Sequence, residues 1–105
     1  MAKYLFEVNY TLDGIKGVKA KGGSARFEAT KQAAESLGGT VEAYYFAFGG
    51  TDVYAIVDFP DNVSAASMAL TGAAAGGVTI RTVVLISPEE IDQAVAKSVS
   101  YSPPG

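Results

Sequence analysis

The sequence predicts an α+β sandwich, and three observations carry that prediction. Segments with a two-residue apolar period and segments with helical spacing follow one another in the order strand, helix, strand, strand, helix, strand. Glycine pairs at Gly22-Gly23, Gly38-Gly39, Gly49-Gly50 and Gly76-Gly77 fall where those segments break. Apolar residues make up 49% of the 105 residues and charged ones only 18%, more apolar surface than one small core hides.

The first strand runs from Lys3 to Thr11, with Tyr4, Phe6, Val8 and Tyr10 on one face and Leu5, Glu7 and Asn9 on the other. Thr11 is a candidate helix cap. Ile15 and Val18 then fall at helical spacing, Gly22-Gly23 interrupts, and Phe27, Thr30, Ala34 and Leu37 resume it, which predicts a two-part or kinked helix. Gly38-Gly39 supplies the positive-φ stop. Val41 to Phe48 and Val53 to Phe59 read as a hairpin across Gly49-Gly50-Thr51-Asp52. Asp61 or Asn62 caps a second helix, slim because of its alanines, with Val63, Ala66, Leu70 and Ala74 expected on its buried side. Gly76-Gly77 ends it. Val78 to Ile86 is the fourth strand, and Ser87-Pro88-Glu89-Glu90 opens a short last helix reaching about Lys97. Residues 1–97 are therefore expected to form one domain and residues 98–105 an extended tail, whose Val99 and Tyr101 are free to dock on a neighbour.

This element order is that of a ferredoxin-like βαββαβ sandwich, a four-stranded antiparallel sheet with its helices on one face. The other face is left bare, and in Val78 to Ile86 both alternating sets are apolar apart from Arg81 and the threonines. Two such sheets packed face to face, a dimeric α+β barrel, hide that area, so a homo-oligomer joined through the exposed sheet face is the expected assembly.

Composition removes many chemistries. With no Cys and no His there is no thiolate, no disulfide, no histidine-held haem or zinc and no Ser-His-Asp triad. No carboxylate cluster suits an oxygen-ligated cation, and no cofactor is expected. The 8 basic and 11 acidic residues give a mildly acidic chain without an Arg-rich patch; Lys16, Lys19 and Lys21 read as solvated lysines, so nucleic acid is not an expected partner. The chain starts directly on a strand and carries no apolar run long enough for a bilayer, so a cytoplasmic protein without a membrane partner is expected.

The opening Tyr4-Leu5-Phe6-Glu7-Val8-Asn9-Tyr10-Thr11 with Gly14-Ile15, the Gly38-Gly39 pair, the hairpin at Gly50-Thr51-Asp52, the exit Asp58-Phe59-Pro60-Asp61 and the late Arg81-Thr82 together resemble the GYD-domain family over residues 3 to about 91. That resemblance implies a small bacterial protein of the dimeric α+β barrel kind without an established activity. The family's Gly-Tyr-Asp triplet has Thr51 at its middle position here, leaving Tyr54 or Tyr45 as the substitute phenol.

Candidate site residues follow from residue chemistry. Asp52, in the glycine-rich hairpin, is a candidate acid or base with Tyr54 beside it; the alternative is a turn Asp bonded to local backbone. Arg81, alone in an apolar strand, either pairs with Glu7 or Glu42 or receives a ligand carboxylate. Glu7, Asn9, Tyr10, Tyr45 and Arg26 complete the ligand-binding candidates, and Tyr44 is a further possible donor. Three functions stay open: an oligomeric module binding a small molecule or a partner, a cofactor-independent enzyme of oxygenase or isomerase type, and a purely structural assembly protein.

Overall fold

The computed structural model describes all residues, Met1–Gly105. Its elements are β1 (Ala2–Tyr10), α1 (Leu12–Lys21), α2 (Gly23–Ser36), β2 (Thr40–Phe46), β3 (Val53–Phe59), α3 (Asn62–Ala74), β4 (Val78–Leu85) and α4 (Pro88–Val95). The strands form one sheet in the order β2-β3-β1-β4, every neighbouring pair antiparallel. This is the ferredoxin-like sandwich the sequence predicts. No helix is long and apolar enough to cross a membrane.

Local chemistry explains the boundaries. The Thr11 hydroxyl accepts from Gly14 N and caps α1, and Gly22 at φ 87° separates α1 from α2. A side chain would resist that left-handed conformation, so the break is placed by glycine. Asp61 caps α3 by accepting from Ser64 N at 2.8 Å, and this bond holds its carboxyl below the usual range. Ser87 and Glu90 form a reciprocal capping box on α4, with Pro88 in the first turn.

Three expectations are corrected. β2 stops at Phe46 rather than Phe48, because Ala47 N donates to Asp52 O and closes the loop early, leaving Phe48 fully exposed. α4 ends at Val95, two residues short of Lys97. On α3 the expected face is turned outward: Val63 is 79% and Leu70 70% exposed, while Ala65, Met68, Ala69 and Gly72 face the sheet layer. The polar Ser67 and Thr71 of this alanine-rich helix stand on the cavity side while Val63 and Leu70 stand outside, so a pattern of apolar inside and polar outside misplaces its phase. The phase follows instead from the Asp61 cap, the hydrogen bond from the Tyr4 hydroxyl to Asn62 Oδ1, and Gly72. A Cβ at Gly72 would stand 3.0 Å from Ile80 Cδ1, so glycine permits the close approach to β4.

The core lies at one end of the layer between sheet and helices. Tyr4, Phe6, Val57 and Phe59 from the strands meet Ala34 of α2 and Ala65 of α3, all buried. Phe59 stacks edge-on to Phe6 at 6.2 Å and tilted to Tyr4 at 6.0 Å. Burying each such ring stabilises the fold by about 1.5–3 kcal/mol.

The face away from these helices is ordered in rows across the strands. One row is Ala43, Ile56, Leu5 and Val83; beside it run Tyr45, Tyr54, Glu7 and Arg81. On the other side, Lys3 bridges Glu42 and Asp58, each at 2.9 Å, with Glu42 placed by a bulge between Val41 and Ala43. These two carboxylates raise the pKa of Lys3.

Candidate functional site

At the end of the helix–sheet layer away from Phe59, the layer is hollow. A cavity of about 370 Å³ lies between α2 and α3, within the range of small-molecule sites. Its floor comes from alternate residues of the sheet, among them Phe6, Val8 and Tyr10 of β1, Tyr44 of β2, Ala55 of β3 and Ile80 of β4. Its walls are the facing sides of the helices, where Ala29, Ala33, Ser67, Thr71 and Gly72 are too short to meet across the gap. A void remains because no large side chain occupies the space that Phe59 fills at the opposite end.

Most of the lining is apolar, and two tyrosine hydroxyls and one guanidinium gather toward one end. Tyr10 and Tyr44 contribute hydroxyls and Arg26 a guanidinium. The Tyr44 ring is held edge-on by Phe27 at 5.4 Å and by Phe46 at 5.6 Å, which fixes the direction of its hydroxyl. Burial pushes the Tyr10 phenol above the ordinary tyrosine value; the Tyr44 hydroxyl and then Asp52 reinforce the shift, while Arg26 opposes it. Tyr10 therefore keeps its proton at neutral pH and acts as a donor. A second, more open depression of about 510 Å³ continues outward between α1 and α2, sharing Tyr10, Arg26 and Gly72 and adding Asp13 and Lys21.

The rim of this hollow end is tied together by backbone contacts. Thr11 N donates to Gly77 O at 3.0 Å and its hydroxyl to Gly76 O at 2.9 Å. Gly14 packs directly on Gly77, where a Cβ would fall 1.9 Å from the carbonyl oxygen, so no other residue fits without displacing the strand. Asp52 completes the rim: its carboxylate accepts from Tyr10 N at 2.9 Å, and its own N–H donates to Val8 O.

The sequence-predicted site residues divide between the two faces of the sheet. Tyr10 and Arg26 line the cavity. Glu7, Tyr45, Tyr54 and Arg81 stand together in one row of the opposite face, so they do not meet Tyr10 and Arg26. Arg81 is 82% exposed and lies 3.9 Å from Glu7, the expected partner. Asn9 is held by Gly50 O at 2.6 Å, which fastens the hairpin loop to β1. Asp52 does not line the cavity, and although its carbonyl closes the hairpin loop by accepting from Ala47 N, its carboxylate is not bonded to that turn. Its acceptor is used across 42 positions of sequence on β1, and Tyr54, with its side chain on the opposite face, shares no cavity with it.

Sequence reasoning missed the short walls, Thr30, Ser67, Thr71 and Gly72, together with Met68 and Leu37. Their only sequence signal is the run of small residues in both central helices, which reads equally well as close packing.

No match is found among curated proteins, and none among solved structures. The GYD domain profile matches residues 4–95, nearly the whole of the sandwich and α4. The order of elements, the Gly-Thr-Asp hairpin and this match agree: the chain belongs to the GYD-domain family.

Proposed function

We propose that this protein is a homo-oligomeric module that binds a small molecule in the cavity between α2 and α3. The cavity itself carries the proposal: a hollow of about 370 Å³ with a mainly apolar lining and the Tyr10, Tyr44 and Arg26 polar groups converging on one end is the usual form of a small-molecule site. Binding is favoured over catalysis because no carboxylate lines the inner cavity and its phenol Tyr10 is held in the protonated form, which leaves no base to move a proton. A purely structural role would leave the hollow without a purpose.

The oligomer is supported by the opposite face. Its row of Ala43, Ile56, Leu5 and Val83 lies between a charged row and an aromatic-polar row, the pattern of an interface with an apolar centre and a polar rim. Tyr45, Tyr54 and Val83 of this face are exposed in the single chain. A second copy packed sheet to sheet is the simplest cover.

Native mass spectrometry of protein purified without denaturation tests both parts. The expected spectrum is a dimer or a multiple of dimers carrying a small molecule that collisional activation removes. A monomer at micromolar concentration refutes the packed-sheet assembly. Repeated ligand-free spectra, with no thermal shift across a panel of metabolites, refute the binding module.

A further inference from the structure

The charges around the cavity point to the kind of molecule it holds. Arg26 is the only charged side chain lining the inner cavity, and it takes part in no ion pair: Lys3 occupies Glu42 and Asp58, while Glu7 faces Arg81. An unpaired guanidinium beside an apolar hollow has its fork free for a planar anion. The hydroxyls of Tyr10 and Tyr44 stand in the same lining and add donors without charge. Asp13, in the outer depression, opposes a second negative charge, and Lys21 is the only other cation there.

We infer that the cavity takes a compact apolar carboxylic acid, its hydrocarbon body between α2 and α3 and its single carboxylate on the Arg26 guanidinium and the tyrosine hydroxyls. This deepens the binding proposal and rests on it. The apolar body matches a mainly hydrophobic lining, with Phe6, Val8, Met68 and Ile80 among its larger members. A single carboxylate matches the one free guanidinium.

The test uses 2-naphthoate, decanoate and the neutral methyl 2-naphthoate, with binding to the full chain measured by calorimetry. Three proteins are compared: the native chain, Arg26→Gln, and Ala33→Phe, which places a ring in the hollow. Circular dichroism checks that each variant is folded. At least one acid is expected to bind the native chain, to weaken tenfold or more in Arg26→Gln, and to be lost in Ala33→Phe. The ester is expected to bind the native chain and Arg26→Gln equally. Should acids and ester bind alike, and Arg26→Gln change neither, the carboxylate assignment is overturned while the cavity remains a binding site. Should no probe bind the native chain, the acid assignment falls, and the ligand search by mass spectrometry then decides the broader proposal by itself.

Discussion

At the Phe59 end of the helix–sheet layer, rings from β1 and β3 fill the space between the helices, and Ala34 and Ala65 let α2 and α3 settle onto them. At the Tyr10 end the same alternation supplies the floor, yet most helix residues above it are just as small, and the larger side chains there, Tyr10, Tyr44 and Ile80 among them, line the space without filling it. Small residues on a helix therefore have opposite results according to what the sheet offers. Around Phe59 they give a dense core; over Val8, Ala55 and Ile80 they leave a hollow that Tyr10 and Tyr44 line without filling. One end holds the fold together and the other is available for function.

The largest test of this contrast is Phe59→Ala. Loss of the ring at the filled end should destabilise the protein by about 3–5 kcal/mol, read from urea unfolding. A loss below about 1 kcal/mol would mean that both ends are loosely packed and would remove the distinction.

Asp52→Ala should come next. It leaves Tyr10 N without its acceptor at the rim, at a cost of about 2 kcal/mol by the same measurement. Asp52→Asn keeps an oxygen for that bond and should restore at least half of the loss. Equal effects of the two substitutions would show that the rim depends on the charge of Asp52 rather than on its hydrogen bond.

The smallest effect belongs to Tyr10→Phe, within about 1 kcal/mol at neutral pH because the hydroxyl faces a hollow rather than a packed neighbour. Its signature is alkaline. The folded chain holds the Tyr10 proton more tightly than the unfolded chain does. The linked stability is therefore complete below about pH 10 and is lost as pH rises through the folded value. Thermal melts from pH 8 to pH 11 should show a shallower alkaline decline in Tyr10→Phe than in the native chain. Identical declines would place Tyr10 in an environment like that of the exposed tyrosines.

Much of the fold was legible because its boundaries are set by local chemistry. Ser87 with Glu90, Asp61, Thr11 and Gly22 each act on backbone groups within a few residues, and each signal appears in the sequence where the structure uses it. The rotation of α3 was not legible, because its polar Ser67 and Thr71 line the cavity while Val63 and Leu70 face outward, and its phase comes from contacts with Tyr4 and Ile80 in distant strands. The site was half legible for a related reason. Tyr10 and Arg26 stand out as residues, but the hollow between them consists of side chains that are absent, and a void is fixed only once both helices are placed. Asp52 shows the same limit in one residue: its turn context suggested a bond close by, and its partner lies on another strand.

The last helix and tail give the single chain an elongated outline. Its radius of gyration is 16.6 Å, against about 13 Å for a compact chain of about 100 residues, and its extents are 55 × 35 × 22 Å. A particle of this shape diffuses more slowly than a sphere of equal mass. Elution from a sizing column would thus report outline and mass together, and a lone chain would migrate like a larger globule. Subunit number in this protein is a question for scattering or mass measurement, not for retention volume.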